Sequence, residues 1–183
     1  MTHEITSLSM QALLFVLDTL ISLVVIAFLL RVLLPLVRAD FRNPIGQAVI
    51  KVTDPLVMPL RRVVPPVGRV DAASIVALLL VQLAGTVVLR LVGGYGFDPT
   101  AIVVHGLLGL LRTVLQFYFV AILIYALLSW VSPGTYSPAN QLLSRICEPL
   151  LTPVRRLIPA IGGLDLSALF VLIALQALQI LLF

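Results

Sequence analysis

Four long runs of apolar residues divide the chain, and polar and charged residues collect between them. The runs cover about residues 10–37, 72–92, 100–131 and 166–183. A bilayer core of about 30 Å is crossed by about 20 helical residues, so each run predicts one transmembrane span. Lipid cannot satisfy unpaired backbone groups, and helices are therefore the predicted form of all four spans. The first and third runs are longer than a span needs, and we expect them to tilt or protrude.

Composition makes the same point about the class of protein. Of 183 residues, 61% are hydrophobic and only 11% are charged, and the mean hydropathy is +1.16. Soluble domains carry about 25% charged residues, so a soluble domain and a disordered chain are both excluded. A nucleic-acid binder is not expected, despite a pI near 9.8. The first run is expected to be a helix that stays in the mature protein and not a cleaved signal peptide. A signal peptide normally begins with Lys or Arg residues, and none precedes this run.

The positions of the cations predict the orientation in the membrane. Six Lys and Arg residues lie between the first and second runs, and three lie between the third and fourth. No Lys or Arg precedes the first run, and none lies between the second and third or after the fourth. Loops rich in Lys and Arg stay in the cytoplasm. The two long loops are therefore predicted to be cytoplasmic, with both termini outside.

A shift of 94 residues superposes the chain on itself without a gap. Asn43–Leu89 then lies over Ser137–Phe183, and 12 of the 47 aligned positions are identical, including Pro, Arg, Gly, Asp and Gln residues. Residues 1–94 and 95–183 are therefore predicted to be two repeats, each with a helix, a basic loop and a second helix. An even number of spans separates equivalent positions, so parallel repeats about an axis along the membrane normal are expected.

Each loop opens with a predicted amphipathic helix. Asn43-Pro44 and Ser137-Pro138 are typical pairs of an N-cap and a first helical residue. The predicted apolar faces are Ile45, Ala48, Val49, Val52 and Leu56 in the first copy and Leu142, Leu143, Ile146 and Leu150 in the second. A helix in the cytoplasmic interface is favoured. An ordinary soluble loop helix is the alternative.

A motif of Pro, Arg, Gly and Asp residues then occurs in both loops. Its members are Pro59, Arg61, Arg62, Pro65, Gly68 and Asp71 in the first copy, and Pro153, Arg155, Arg156, Pro159, Gly162 and Asp165 in the second. Proline removes a backbone donor, so a short helical turn and then a bend are expected. Glycine suits a tight backbone there. The two aspartates are the predicted N-caps of the second and fourth spans.

The arginine pairs of this motif have two interpretations. They could anchor the loops and contact lipid phosphates, each cation contributing about 1 kcal/mol near anionic lipid. Alternatively, Arg62 and Arg156 could pair with loop acids and lock a fixed cytoplasmic platform.

Polar residues inside the spans are further candidates, because charges in a bilayer are costly. Asp18 and Arg112 are equivalent in the two repeats and predict an ion pair between the first and third spans; separate hydration is the alternative. Gln82 and Gln176 are also equivalent, and a mutual hydrogen bond is favoured over a substrate site. Arg31 and Arg90 lie near span ends and are predicted to be interfacial anchors.

The repeated motif resembles that of the YggT family of bacterial membrane proteins. Residues 149–167 match more closely than the first copy, where Arg69 and Ala73 replace a Gly and a Ser. The resemblance covers nearly the whole chain. It implies an inner-membrane protein linked to osmotic tolerance and ion homeostasis, with relatives associated with cell or organelle division. A plastid branch is associated with haem attachment, but this chain has no CxxCH motif, so that role is not transferred.

An enzyme is not expected, because the sequence has no Ser-His-Asp set, paired catalytic carboxylates or phosphate-binding glycine loop. A disulfide and a structural zinc site are not expected with the single Cys147, and no cofactor is predicted. The leading hypothesis is a non-catalytic scaffold or assembly factor of the cell envelope. Its partners would be anionic lipid headgroups, envelope or division proteins, or further copies of the chain. The alternative is a small oligomeric transporter or channel.

Overall fold

The chain folds into α-helices throughout the part that the structure describes. A computed structural model describes residues 2–37, 43–65, 71–131, 137–157 and 166–183. These residues form six helices and no strand, which confirms the all-α fold. The helices are α1 (Thr2–Leu36), α2 (Pro44–Arg61), α3 (Ala72–Val92), α4 (Pro99–Val131), α5 (Pro138–Leu157) and α6 (Ser167–Leu182).

Three of these helices are long and apolar enough to cross a membrane. The qualifying segments are Leu8–Leu36, Ala72–Val92 and Pro99–Ser129. Helix α6 is apolar but has only 16 residues, which gives a length of about 24 Å. The hydrocarbon core of a bilayer is about 30 Å thick. A fourth span therefore stays a prediction.

Each predicted repeat has its own buried cluster of side chains. Helices α1, α2 and α3 share one that includes Val25, Phe28, Val57 and Ala77. Helices α4, α5 and α6 share another that includes Ile122, Ala126, Cys147, Leu151 and Val171. A third cluster joins the two halves through Leu34, Val49, Leu142 and Ile146.

Helix α3 packs closely against both α1 and α4 because glycine faces each contact. A Cβ atom on Gly85 would lie 2.4 Å from Cγ2 of Ile21 on α1. A Cβ atom on Gly109 of α4 would lie 2.8 Å from Nε2 of Gln82. Both separations are shorter than van der Waals contact. Small residues at such positions let membrane helices approach closely, which favours their association.

The predicted N-caps of α2 and α5 are confirmed. The Asn43 side-chain oxygen accepts a hydrogen bond from the backbone N–H of Gly46 at 2.6 Å. The Ser137 hydroxyl accepts one from the backbone N–H of Asn140 at 3.1 Å. Each bond satisfies a donor that the first helical turn leaves unpaired.

The prolines within α2 and α5 do not interrupt these helices, whereas the predicted bend follows the end of α2, where Arg62 and Val63 form a turn and Val64 a bend. Helix α2 continues through Pro55 and Pro59 to Arg61, and α5 continues through the equivalent prolines Pro149 and Pro153. Proline already has a helical φ, and its cost is one missing backbone donor. A spacing of four residues places both gaps on one side of the helix. That side is exposed, so the carbonyls left without a partner can bond to water.

The predicted apolar face of α5 is confirmed, whereas that of α2 is wrong in part. Leu142 and Ile146 are buried. On α2 the buried residues are Gly46, Val49, Thr53 and Val57. Ile45 and Val52 are 40% and 62% exposed. Helix α2 therefore has one face toward α1 and α3 and a second apolar face directed outward.

Of the repeated motif, Pro65 is exposed after the end of α2. Gly68, Pro159, Gly162 and Asp165 lie outside the described residues.

Candidate functional site

A buried arginine on α1 joins the three helices of the first repeat. Arg31 is only 4% exposed. Its Nε donates a hydrogen bond to the Ser74 hydroxyl of α3 at 3.2 Å. Its Nη1 donates to the Thr53 hydroxyl at 2.7 Å and to the Ile50 carbonyl at 3.2 Å. The same nitrogen lies 2.7 Å from Oδ1 of Asp54, with which it forms an ion pair.

These contacts continue from α3 to the end of α2. The Ser74 hydroxyl donates a hydrogen bond to Oδ2 of Asp71 at 2.7 Å. The same oxygen accepts a hydrogen bond from Nη2 of Arg61 at 2.5 Å. We refer to the connected side chains as the Arg31 network; they are Arg31, Thr53, Asp54, Arg61, Asp71 and Ser74.

The charges of the Arg31 network balance. Two guanidinium groups face two carboxylates, which is the condition under which charged side chains can be buried without a large penalty. Burial raises the pKa of the Asp71 carboxyl, but hydrogen bonds from Arg61 and Ser74 outweigh burial, and the net pKa lies below its ordinary value. The hydrogen bond with Asp71 raises the pKa of Arg61. Both groups are therefore charged at neutral pH.

A small cavity of about 360 Å³ adjoins the Arg31 network. Its apolar wall comes from Pro35, Ile50 and Met58, and its polar wall from the charged side chains of the network. The second carboxylate oxygen of Asp71, Oδ1, is buried and has no hydrogen-bond partner among the described residues. In the described part of the chain, no three His, Cys, Asp or Glu side chains are placed to hold a metal ion.

The predicted role of Arg31 as an interfacial anchor is wrong. Its guanidinium does not reach out of the protein, because α2 and α3 supply acceptors beside it. The sequence holds one signal of this role. The 94-residue shift aligns Arg31 with Tyr125, so both repeats have a residue with a polar end at the same place in an apolar run.

One arginine of the Arg61-Arg62 pair does bind an acid of the loop, but it is Arg61 and not the predicted Arg62. Arg61 pairs with the acid Asp71, whereas Arg62 is exposed. Asp71 lies at the N-cap position of α3, as predicted. Its carboxylate bonds to two side chains and not to a backbone N–H. Asp71 therefore joins α2 to α3 instead of capping a helix end.

The second repeat has a different set of groups at the equivalent positions. Tyr125 takes the place of Arg31, and Cys147 takes the place of Thr53. Arg155, which is equivalent to Arg61, donates a hydrogen bond to the Tyr125 hydroxyl at 3.0 Å. Its guanidinium lies 5.8 Å from the centre of the tyrosine ring, within the range of a cation–π contact. Cys147 is fully buried, and burial raises its pKa to about 12, so it is a neutral thiol.

The predicted pairs of polar residues within the spans are not formed. Asp18 and Arg112 are both exposed, and the ion pairs of the described residues join other side chains. Gln82 is 8% exposed beside Gly109, whereas Gln176 is exposed. The reason is the same for both predictions. The 94-residue shift makes positions equivalent, but equivalent side chains point toward each other only if they face a shared axis.

Comparisons with known proteins agree with the repeated architecture. The family described as CCB3/YggT matches residues 10–92 and again residues 104–183. The chain is 42% identical over 172 residues to an uncharacterized protein of Pseudomonas aeruginosa, covering 93% of this chain and 87% of that protein. It is 39% identical over 170 residues to the uncharacterized protein YggT of Escherichia coli K12, covering 93% and 88%. No solved structure matches.

The Arg31 network predicts a large effect of one substitution. Arg31→Gln leaves Asp54 without its cation; breaking a buried pair typically costs about 3–5 kcal/mol, and the loss should lie toward the lower end of that range because Asp54 is 32% exposed. Chemical unfolding in detergent micelles should show a loss of that size. The control is Arg62→Gln, which removes an exposed cation from the end of α2 and should cost under about 1 kcal/mol. Equal losses in the two variants would contradict a structural role for the network.

Asp71 predicts a pH dependence. Because folding lowers its pKa, its contribution to stability is present above the unfolded pKa of about 3.9 and is lost as the pH falls through the folded value. Asp71→Asn should therefore lower the Tm at pH 7, and the difference from the parent should shrink below about pH 4. Asp18→Asn, at an exposed position, is the control and should change the Tm little at any pH. A difference for Asp71→Asn that stays constant down to pH 3 would rule out the carboxylate as its source.

Proposed function

This chain belongs to the CCB3/YggT family, and we propose that it acts as a non-catalytic scaffold or assembly factor in the bacterial inner membrane. The observation that carries this proposal is the Arg31 network. It fixes α2 against α1 and α3 through four side-chain contacts of Arg31 and one of Arg61. A surface helix held in this way presents its outward residues in a constant arrangement, which is what a docking surface needs.

The proposed docking surface consists of the outward faces of α2 and α5. Both carry exposed cations, including Lys51, Arg62, Arg145 and Arg156. Their positions support an orientation in which both helices lie on the cytoplasmic side. Cations there attract anionic lipid or an acidic protein surface. Envelope proteins that act in division or in osmotic tolerance are the proposed partners, and further copies of the chain are another.

A small oligomeric transporter or channel is the second candidate, and one observation favours it. Asp18 and Arg112 are exposed on helices that are apolar enough to span a membrane. Charged side chains in such helices usually face a bundle interior or a water-filled cavity. Several copies could provide such a cavity.

The proposed orientation predicts a labelling pattern for single cysteines in a Cys147→Ala background. Gln141→Cys places a thiol on the exposed face of α5, and Phe97→Cys places one in the exposed turn between α3 and α4. In spheroplasts, an impermeant maleimide should label Phe97→Cys and should reach Gln141→Cys only after the membrane is opened. The reverse pattern would invert the proposed orientation.

The scaffold proposal predicts a specific crosslink in cells. A photoreactive residue at Lys51, on the outward side of α2, should give one reproducible protein adduct. The same residue at Leu20, which is exposed on α1, should not. Arg31→Gln should abolish the adduct at equal membrane levels, because it releases α2. If the adduct persisted in that variant, docking would not depend on the Arg31 network.

The same protein in liposomes separates the two candidates. The scaffold proposal expects potassium flux no greater than in empty liposomes. Flux that is lost in Asp18→Asn and retained in Arg62→Gln would favour the transporter.

A further inference from the structure

A large cleft lies between the two halves of the protein, at the end of α1. Its volume is about 710 Å³. One wall is the apolar end of α1, and the other is a mixed face of α5. The first wall includes Leu33, Leu36 and Val37, and the α5 wall includes Glu148, Thr152 and Arg156.

The polar groups on the α5 wall follow one stripe of the helix. Glu148, Thr152 and Arg156 are each four residues apart, so they lie one above another on the same face. Successive members are separated by about one turn, or about 5.4 Å. A carboxylate, a hydroxyl and a guanidinium therefore succeed one another along the cleft. Arg145 lines the cleft about one turn beyond Glu148.

Glu148 and Arg156 are available to bind a ligand. Both side chains are exposed, and in the described part of the chain neither forms an ion pair or a hydrogen bond. In the first repeat the equivalent acid, Asp54, is taken by Arg31. In the second repeat Tyr125 stands in place of that arginine, so no buried cation draws Glu148 inward. Glu148 lines the cleft instead.

We propose that this cleft binds the headgroup of a phospholipid that carries both a phosphate and a primary ammonium group, as phosphatidylethanolamine does. The Arg156 guanidinium binds the phosphate, since its planar donors match phosphate oxygens. The Thr152 hydroxyl donates a further hydrogen bond to the phosphate. The Glu148 carboxylate accepts hydrogen bonds from the ammonium. Thr152 and Glu148 lie about one helical turn apart, which suits the short two-carbon linker between phosphate and ammonium, and the long Arg156 side chain reaches the same phosphate from the next turn.

The opposite wall of the cleft identifies the ligand as a lipid and not a soluble phosphate ester. Leu33 and Leu36 end the apolar segment Leu8–Leu36, which is long enough to span a membrane, and Val37 follows it directly. Leu36 is 51% exposed. Such a wall adds nothing for a free headgroup, whereas acyl chains can pack along it. The end of a spanning segment is also the depth at which lipid headgroups lie.

The charge pattern distinguishes between kinds of phospholipid. A choline headgroup has no N–H donor for Glu148, although its phosphate could still meet Arg156. An anionic glycerol headgroup brings no cation to Glu148, and a carboxylate beside a phosphate is repulsive. Of these three headgroups, only ethanolamine offers a phosphate to Arg156 and an N–H donor to Glu148.

Native mass spectrometry of the purified full-length chain tests the proposal. Equal amounts of phosphatidylethanolamine, phosphatidylcholine and phosphatidylglycerol are added to the protein in detergent. The detergent is then removed in the spectrometer, and the lipids that remain bound are counted. The expected result is one retained lipid per chain, with the ethanolamine lipid preferred. Hydrogen bonds to charged groups contribute about 1.5–3 kcal/mol, so the preference should be about tenfold or more.

Substitutions test which side chain binds the phosphate and which binds the ammonium of the headgroup. Glu148→Gln should remove the preference for the ethanolamine lipid over the glycerol lipid by about tenfold. Arg156→Gln should weaken the retention of all three lipids. Arg112→Gln makes the same substitution at an exposed arginine of α4 that lies outside the cleft, and it is the matched control, for which no change is expected. All three positions are exposed, and the Tm of each variant checks that it folds.

Three results would each overturn the proposal. The first is equal retention of the three lipids by the parent protein. The second is an unchanged preference in Glu148→Gln. The third is displacement of the lipid by free phosphoethanolamine at similar concentration, which would make a soluble ligand the occupant. The lipid site and the scaffold function are tested independently. Lipid retention measures only the first, and the crosslink from Lys51 measures only the second.

Discussion

A guanidinium group cannot be buried unless acceptors surround it, and Arg31 imposes this constraint on the first repeat. Its side chain is only 4% exposed, so water can solvate little of it. The Thr53 hydroxyl, the Asp54 carboxylate and the Ser74 hydroxyl therefore have to converge from two other helices. Helix α2 can satisfy this only if it lies across the end of α1, and α3 only if it begins beside both. One charged side chain thereby explains why a surface helix with two apolar faces has a fixed place.

The second repeat has the same order of helices as the first but different polar side chains at its centre. Tyr125 and Cys147 stand where Arg31 and Thr53 stand in the first repeat, and neither brings a charge into the interior. The cation comes instead from Arg155, which contacts the tyrosine hydroxyl from α5. Duplicated segments can thus share helices and loops while their buried polar centres diverge. Asp54 pairs with Arg31 in the first repeat, whereas the equivalent Glu148 faces a cleft in the second.

Much of the fold follows from the sequence, because hydrophobic runs and caps are local signals. The second span was predicted at residues 72–92, which are the bounds of α3. The caps at Asn43 and Ser137 form as predicted. The continuation of α2 through Pro55 and Pro59 could not be predicted, because the cost of a missing donor depends on whether its carbonyl meets water, and only the packed structure shows which side is exposed. The partners of Arg31 could not be predicted, since the register between α1 and α2 is set by long-range packing. The Asp18–Arg112 pair failed because sequence equivalence defines a symmetry and not a contact.

Helix α3 matches the thickness of a bilayer, whereas its two neighbours exceed it. The 21 residues of α3 extend about 31 Å, close to the thickness of a typical hydrocarbon core. The spanning segments of α1 and α4 have 29 and 31 residues and extend more than about 40 Å. Helices that are too long for a bilayer tilt or protrude. Lateral tension thins a membrane, so stretching would tilt α1 and α4 further against α3, with which they are in close contact at Gly85 and Gly109. The unequal helices would make the packing of the embedded protein depend on how far its membrane is stretched.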